Sequence, residues 1–271
     1  MKLGLLKALY IDTLVPFYAR SEAENIFYIV LEHLDKKSKI DVLLGAETFI
    51  FESYESILEE LQQGIPVQYL TQIAPFYNLD YYVDERVLIP RPETEQLVHL
   101  ILQEHPKYTG SVLDIGTGSG CIAITLAKNW PNAQVSACDV SSDALAVAQK
   151  NADTHKAEVS FLEADILKDE IGDYDIIVSN PPYIAENEKV EMHKNVLEHE
   201  PHLALFVENT DPLLFYKRIT QLAAQSKAIC YFETSEFYRE QLDQWLEDEK
   251  YTFVWKQDFQ GKNRILQVSF T

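Results

Sequence analysis

Two short motifs carry the residue types that chemistry most often needs. The first is the glycine-rich segment 114–120, DIGTGSG, which follows a short apolar stretch and precedes a helical pattern. Glycines let the backbone turn sharply and approach a ligand closely, and free N–H groups at a helix start favour an anionic group. The plain alternative is a tight turn from strand to helix. Cys121 stands where a dinucleotide fingerprint needs its third glycine, which disfavours an NAD or FAD enzyme.

Acidic residues follow the apolar stretches that border this loop. Asp139 ends the stretch 134–140, and Asp165 ends the stretch 158–165. A carboxylate at Asp139 can accept hydrogen bonds from both hydroxyls of a ribose, and one at Asp165 can accept from the exocyclic amine of adenine. Each acid alone is an ordinary strand-end residue. Together with Asp114 they place three acids at the carboxyl ends of three successive strands, which predicts a nucleoside site at that edge.

The second motif is the turn 179–183, SNPPY. An amide or aromatic amine nitrogen is planar, so its lone pair must be held toward a methyl carbon before it can attack. The side-chain oxygen of Asn180 and a backbone carbonyl of the Pro-Pro turn can each accept one N–H, and prolines offer only acceptors. Tyr183 can cover the flat face of the substrate group. Such a site works by orientation and polarisation, without a strong base.

The same tetrapeptide also fits a strand that simply ends in an Asn-Pro turn. Its place in the chain favours the chemical interpretation. The strand before it, 174–180, would end at the same sheet edge as the glycine loop.

The elements that position these motifs alternate between strand and helix from residue 111 onward, which predicts a mostly parallel sheet covered on both faces. Two consecutive strands close the chain around a turn at 260–263, which predicts an antiparallel pair at one edge. Seven segments have strand patterns: 111–115, 134–140, 158–165, 174–180, 227–233, 251–259 and 264–270.

The N-terminal part has a different pattern and no cluster of catalytic residue types. Residues 1–75 have the pattern of short helices, one of them starting at a capping box formed by Ser21 and Glu24. Residues 76–90 are aromatic and β-branched and predict a hairpin or extended connector. We therefore expect a small all-α domain at 1–75 and a catalytic domain at 91–271.

Composition limits the function classes. The 271 residues include 43 acids and 23 bases, a net charge of −20, which disfavours binding to duplex DNA or an anionic membrane. The three cysteines lack C-x-x-C spacing and fit a reducing compartment, so a cytoplasmic location is expected. The sequence His199-Glu200-Pro201-His202 is not a zinc motif, and with His193 nearby we still expect no metal site.

The segments DIGTGSG, CDVS, SNPPY and RVLIPRPETEQLV together resemble the HemK/PrmC family, the peptide chain release factor N5-glutamine methyltransferases. The resemblance spans nearly the whole chain. It implies a Rossmann-like class I methyltransferase fold with a seven-stranded sheet, and S-adenosyl-L-methionine as cofactor. It also implies methylation of the glutamine amide in the Gly-Gly-Gln motif of class 1 release factors, a step of translation termination, by a monomer whose domain 1–75 recognises the substrate.

The resemblance assigns roles to individual residues of this chain. It implies that Asp139 holds the ribose, that Asp165 and Ile166 border the adenine, and that Arg91 and Glu93 lie near the pocket mouth. A salt bridge at a helix start explains the last two equally well. The residues implied to hold the methionine part of the cofactor are Gly116, Thr117, Gly118, Ser119 and Gly120, and those implied to hold the glutamine amide are Asn180, Pro181, Pro182 and Tyr183. The resemblance also implies that Asn180 contacts the cofactor.

This sequence departs from the family pattern around the substrate mouth. Residues 206–212 read FVENTDP where the family usually has a glycine-rich stretch, 233–235 read ETS in place of EIG, and no glycine stands at Thr71-Gln72. The rival function is an adenine-amino methyltransferase acting on DNA or RNA, which uses a similar Asn-Pro-Pro-aromatic turn. The absence of a basic stripe weighs against it.

Overall fold

The computed structural model describes residues 1–185, 194–207, 211–259 and 261–270. These residues form two compact units. One holds Met1–Ile73 together with the short helix Lys194–His199, and the other begins at Ala74 and holds the rest. In the part of the chain that is described, no helix is both long enough and apolar enough to cross a bilayer.

The first unit is entirely helical apart from an isolated bridge between Lys2 and Glu47. Its core is formed by apolar and tyrosine side chains such as Leu6, Tyr10 and Phe27, all without solvent exposure. Asn195 donates to the hydroxyl of Tyr18 over 2.9 Å, which ties the last helix to this core. The helices are α1 (Leu3–Leu14), α2 (Arg20–Asp35), α3 (Lys39–Leu43), α4 (Phe51–Gln62), α5 (Val67–Thr71) and α9 (Lys194–His199).

Two local features of this unit differ from the sequence pattern. The capping box predicted at Ser21 and Glu24 is wrong, because α2 begins at Arg20 with Ala19 as its N-cap. A capping box does form at α3, between Ser38 and Asp41. Gln72, where the family often has glycine, takes a left-handed φ of 56° at the end of α5.

The second unit begins with a hairpin of β1 (Ala74–Phe76) and β2 (Leu79–Tyr81). Tyr77 and Asn78 form its two-residue turn with φ of 47° and 63°, the geometry that suits a tight hairpin. The remaining elements alternate as predicted. They are α6 (Pro92–Glu104), β3 (Ser111–Ile115), α7 (Cys121–Asn129), β4 (Gln134–Asp139), α8 (Ser142–His155), β5 (Ser160–Glu163), β6 (Ile176–Ser179), β7 (Ile184–Ala185), α10 (His202–Leu205), β8 (Phe206–Val207), α11 (Leu214–Ser226), β9 (Ile229–Glu233), α12 (Arg239–Asp248), β10 (Thr252–Gln257) and β11 (Asn263–Ser269).

Seven of these strands form one sheet in the order β10-β11-β9-β6-β3-β4-β5. The pairs among β5, β4, β3, β6 and β9 are parallel, and β11 is antiparallel to both of its neighbours. Residues from α6 and α7 pack in one core cluster and residues from α11 and α12 in another. This confirms the predicted fold class. Because the chain returns to the other side of β3 after β5, the carboxyl ends of β3 and β6 border a switch point, where open α/β sheets bind ligands.

One buried side chain fastens the hairpin to the glycine loop. Asn151 of α8 is 1% exposed. Its amide accepts from the Tyr82 N–H at 2.7 Å and donates to the carbonyls of Tyr82 and Ser119 at 2.9 and 2.8 Å. It therefore joins the segment after β2 to the segment after β3.

We expect Asn151→Ala to lower the free energy of unfolding by ~2–4 kcal/mol, because it leaves three backbone groups, one buried and two partly buried, without their partner. Urea unfolding followed by circular dichroism measures this. Asn129→Ala is the matched control, since Asn129 is exposed and donates only to the Thr125 carbonyl of its own helix. Equal losses in the two variants would contradict the fastening role.

Candidate active site

A cavity of about 290 Å³ opens at the carboxyl edge of the sheet, within the second unit. It lies where the residues after β3, β4, β5 and β6 converge, which is the edge that the motifs predicted. The rest of its wall comes from the segment 86–88, which begins the motif RVLIPRPETEQLV, and from later segments without a motif. These wall residues are Arg86, Val87, Leu88, Pro201, Leu203, Ala204, Phe215 and Ile219.

The three glycines of the loop serve different purposes, although all have a positive φ, between 54° and 82°. Gly116 and Gly118 line the cavity, and a Cβ added to either would meet no atom within 4 Å. A Cβ on Gly120 would lie 2.8 Å from Ile124 Cδ1 and 3.1 Å from Ala148 Cβ. The first two glycines therefore leave room for a ligand, and the third allows α7 and α8 to pack closely.

The other two loop residues face away from the cavity. Thr117 is buried and donates its hydroxyl proton to Asp114 at 2.6 Å, and Ser119 is buried with its carbonyl bound to Asn151. The resemblance implied that all five loop residues hold the cofactor. In this structure only Gly116 and Gly118 line the cavity, whereas Thr117, Ser119 and Gly120 hold the loop in shape.

Asp114 supports the loop from beneath and does not line the cavity. It is fully buried, and it accepts from the Thr117 hydroxyl and from the Ala123 N–H at 3.2 Å. Burial raises the pKa of this carboxyl from its usual 3.8 to about 7. Of the three acids that sequence reasoning grouped, two therefore face the ligand space and Asp114 does not.

Asp139 joins the glycine loop to the next helix. Its Oδ2 accepts from the Gly118 N–H at 2.9 Å, and its Oδ1 accepts from the Ser141 N–H at 3.0 Å. The carboxylate lines the cavity, and each of its oxygens keeps a further acceptor position. A diol bound there would meet a carboxylate whose orientation is already fixed.

Asp165 and Ile166 line the same cavity after β5. Lys168 lies 2.6 Å from Asp165 Oδ2, and this contact lowers the pKa of the carboxyl. The Asp165 Oδ1 accepts from the Leu167 N–H at 3.1 Å. Ile166 is 7% exposed and contributes apolar surface beside the acid.

The segment 86–88 begins the motif RVLIPRPETEQLV, but sequence reasoning gave these three residues no role in the wall of the cavity. Arg86 donates from its Nε and Nη2 to the Asp84 carboxylate over 2.9 and 2.6 Å. These bonds fix the backbone just before the residues that line the cavity. The Asp84 carboxylate also accepts from the Tyr82 hydroxyl at 2.9 Å. An acid and an arginine two residues apart, followed by apolar residues, were the available signal.

Asn180, Pro181 and Pro182 line the cavity, and Asn180 is also held from behind. Its Nδ2 donates to the hydroxyl oxygen of Thr94 at 3.3 Å, and that hydroxyl donates to Glu233 Oε2 at 2.6 Å. Thr94 and Glu233 are both nearly inaccessible to solvent. Sequence reasoning assigned neither of them a role. Their signal was position: Thr94 starts α6 after the Pro-Arg-Pro segment, and Glu233 ends the strand beside β6.

A second cavity of about 440 Å³ lies on the Tyr183 side of the turn. Arg91 and Glu93 line it, but they do not form a salt bridge with each other. Arg91 binds both oxygens of the buried Glu200 at 2.6 and 2.7 Å, and Glu93 lies 3.4 Å from Arg264. Its wall also includes Ile184, Glu233, Thr234, Ser235, Glu236, Phe237 and Arg264.

The histidines near the end of the 194–207 segment have ordinary contacts. His199 contacts the Gln63 carbonyl through its Nε2 at 3.3 Å, and the His202 ring packs edge-on against Phe206. His193 lies outside the described residues. Among residues 1–185, 194–207, 211–259 and 261–270, no three acidic, histidine or cysteine side chains are grouped as a metal ion would need.

Comparison with known proteins gives consistent relatives. A family model described as the Methyltransferase small domain matches residues 93–204. The chain is 44% identical over 277 residues to the release factor glutamine methyltransferase of Flavobacterium psychrophilum, and the match covers 96% of each chain. It is 41% identical over 269 residues to the release factor glutamine methyltransferase of Bacteroides thetaiotaomicron, covering 95% of this chain and 96% of that one.

Solved structures resemble the fold at lower identity. The hMettl16 catalytic domain in complex with MAT2A 3′UTR hairpin 6 matches with a TM-score of 0.57 and 20% identity, covering 72% of this chain and 77% of that one. A methyltransferase from Pyrococcus furiosus matches with a TM-score of 0.52 and 17% identity, covering 72% of this chain and 89% of that one. These similarities support the fold alone.

The buried Asp114 predicts a pH dependence of stability. Between pH 4 and 7 the folded protein keeps the Asp114 proton while the unfolded chain has lost it, so the free energy of unfolding falls as pH rises. We expect a contribution on the order of 3 kcal/mol across that window. Urea unfolding of wild type and Asp114→Asn at pH 4.5, 6 and 8 measures it. The stability of wild type relative to the variant should decline with pH, and a constant difference would refute the assignment.

Proposed function

The chain belongs to the release factor glutamine methyltransferases, and we propose that it transfers a methyl group from S-adenosyl-L-methionine to the glutamine amide nitrogen in the Gly-Gly-Gln motif of class 1 peptide chain release factors. The similarity to the Flavobacterium psychrophilum enzyme over 96% of both chains is the observation that carries this proposal. The position of Asn180 to Pro182 in the wall of a cavity behind a glycine loop supports it independently.

The residues around the cavity fit S-adenosyl-L-methionine. Gly116 and Gly118 leave an open cradle, Asp139 presents a fixed carboxylate for a ribose, and Ile166 offers apolar surface beside Asp165 for the adenine. When bound, the cofactor supplies an electrophilic methyl group on a positively charged sulfur. The acidic side chains at this edge favour such a cation over the anionic pyrophosphate of a dinucleotide.

Asn180 and the Pro-Pro turn orient the acceptor amide. The side-chain oxygen of Asn180 and the backbone carbonyl of Pro181 each accept one N–H of the glutamine amide, which fixes the plane of the group. The nitrogen lone pair would then be held toward the methyl group that the bound cofactor would supply, and the amide would be kept from rotating away. The surplus proton leaves to water after transfer. Catalysis by position is the expected device where the nucleophile is weakly basic.

Tyr183 belongs to the acceptor side of the turn. It lines the second cavity, which we propose receives the peptide that carries the glutamine. The turn then lies between two spaces, with Asn180 at the cofactor cavity and Tyr183 at the peptide cavity. Arg91 and Glu93 shape the peptide cavity while each is held in an ion pair of its own.

The rival activity, methylation of an adenine amino group in DNA or RNA, would use the same turn. The net charge of −20 makes a polyanionic substrate unfavourable. The similarity to a domain crystallised with an RNA hairpin is at 20% identity and concerns the fold. Transfer of tritiated methyl to purified release factor, to DNA and to RNA in parallel separates the two functions. Incorporation into nucleic acid alone would overturn the proposal.

The same proposal includes the setting in which the enzyme works. We propose a cytoplasmic monomer, and the three cysteines support the reducing compartment because all are free and buried in the structure. The helical unit is proposed to recognise the release factor. It exposes large apolar side chains, among them Leu44 at 80% and Phe49 at 92%, which suit contact with a protein.

Asn180→Ala should reduce the single-turnover rate at saturating cofactor by on the order of 100-fold. The variant leaves one N–H of the substrate glutamine amide unpaired, and that amide is then free to rotate. Its affinity for S-adenosylmethionine by calorimetry should change less than threefold. Asp139→Ala is the opposite control and should weaken cofactor binding by ~1–3 kcal/mol. A rate for Asn180→Ala within a few-fold of wild type would exclude the orienting role.

Substrate recognition by the helical unit predicts a different kinetic signature. The double variant Leu44→Ala with Phe49→Ala should raise the KM for release factor about tenfold and leave the cofactor affinity unchanged, because apolar contact area with the protein substrate is lost. Val254→Ala is the matched control, since Val254 is exposed on the edge strand β10. An unchanged KM in the double variant would show that these side chains do not contact the substrate.

A further inference from the structure

We infer that Thr94 and Glu233 are positioning residues that fix which end of the Asn180 amide faces the acceptor. The inference rests on the proposed function, because it assigns how the orienting residue is itself oriented. The three side chains form one hydrogen-bonded line, from the Asn180 amide nitrogen through the Thr94 hydroxyl to the Glu233 carboxyl, with separations of 3.3 and 2.6 Å.

The fold brings these residues together from three elements. Ser179 of β6 pairs with Phe232 of β9 in a parallel register, so the next residues, Asn180 and Glu233, stand side by side at the sheet edge. Thr94 lies in the first turn of α6 and reaches this edge from outside the sheet. Both partners are almost fully buried, with exposures of 3% for Thr94 and 4% for Glu233. The bond between Thr94 and Glu233 is therefore shielded from water.

The single proton of the Thr94 hydroxyl decides which group donates in each of these two hydrogen bonds. A threonine hydroxyl has one proton, and at 2.6 Å from an ionised Glu233 it is donated to the carboxylate. The hydroxyl oxygen can then only accept, so it binds the amide nitrogen of Asn180 and repels its oxygen. The Asn180 oxygen must point the other way, as an acceptor for the substrate N–H. Without Thr94 the two amide orientations would be close in energy.

Protonation of Glu233 would remove this direction. Burial raises the pKa of Glu233 to about 7, against the lowering effect of the Thr94 hydroxyl. A protonated Glu233 can donate to Thr94, whose own proton is then free to bind the Asn180 oxygen. The other groups that face Glu233 are Glu93, which raises its pKa, Arg264 and Arg91, which lower it, the tyrosines Tyr183 and Tyr216, and the Cys121 thiol.

The test is single-turnover methylation of release factor by Thr94→Val, Thr94→Ser and Thr220→Val in the full-length protein, with cofactor affinity measured in parallel. Thr220 is a buried control on α11. Thr94→Val should slow the reaction at least tenfold relative to wild type and keep the cofactor affinity within twofold of the wild-type value. Thr94→Ser keeps the hydroxyl, so its rate should stay within threefold of wild type. In an Asn180→Ala background, Thr94→Val should have less than a twofold further effect. A Thr94→Val rate within twofold of wild type, or the same loss in both backgrounds, would overturn the inference.

The pH profile tests the glutamate separately. The wild-type rate should fall as pH decreases through about 7, and Glu233→Gln, which cannot titrate, should lose that decline. A decline that persists in Glu233→Gln would exclude Glu233 as its source. If Thr94→Val does not fold, Thr94→Ala takes its place.

The positioning role can also be tested if release factor is not the substrate. If wild type binds cofactor but does not methylate release factor, hydrogen exchange of the Asn180 side-chain amide by NMR still tests the line. Exchange should be at least tenfold faster in Thr94→Val than in wild type and Thr94→Ser. Equal exchange in all three would overturn the positioning role.

Discussion

The site depends on the register of four parallel strands that end at one edge of the sheet. Ile115 pairs with Cys138 on one side and with Ser179 on the other, and Ser179 pairs with Phe232. The residues that follow these paired positions lie side by side at the carboxyl edge of the sheet, although they are far apart along the chain. They are Gly116, Asp139, Asn180 and Glu233. Because side chains alternate between sheet faces, a shift of one residue in any pairing would turn a functional side chain away.

Hydrogen bonds made by residues of the glycine loop keep the ligand-facing edge rigid. The Gly118 N–H binds Asp139, the Ser119 carbonyl binds Asn151, and the Thr117 hydroxyl binds the buried Asp114. The loop therefore holds its positive-φ conformation through contacts with the protein, two of them made by residues that do not line the cavity. A cradle fixed in this way loses little conformational freedom when a ligand binds, which favours affinity.

The structure divides its carboxylates by environment. Asp139 and Asp165 face the cavity, where they can meet a ribose and an adenine amine. Asp114 and Glu233 are buried behind it, and burial raises the pKa of each to about 7. The half-buried pair, Asp139 and Asp165, suits binding, and the buried pair acts on the glycine loop and on Asn180 through neighbouring hydroxyls. Such a division fits a reaction that depends on the orientation of a planar nitrogen and has no need of a strong base.

The sequence by itself determined the elements and the local motifs. Strand and helix periodicity predicted the seven-stranded sheet with its terminal antiparallel pair, and the glycine spacing with the strand-end acids predicted a nucleoside site at the carboxyl edge. The inference about the fold succeeds because it depends on neighbours along the chain, and the nucleoside site stays a prediction. The same local reasoning placed the cap of α2 two residues late, at Ser21 instead of Ala19, since packing decides where a helix begins.

Only the tertiary structure decided which way each side chain faces. The five loop residues have one sequence signature, yet two of them open to the cavity and three hold the loop. Arg91 has its partner at Glu200, and Asn180 has its partners at Thr94 and Glu233. No sequence spacing encodes such pairs, because they form between strands and helices whose separation along the chain is unrelated to their distance in the fold. The register of the sheet sets these distances, and the packing of α6 against it completes them.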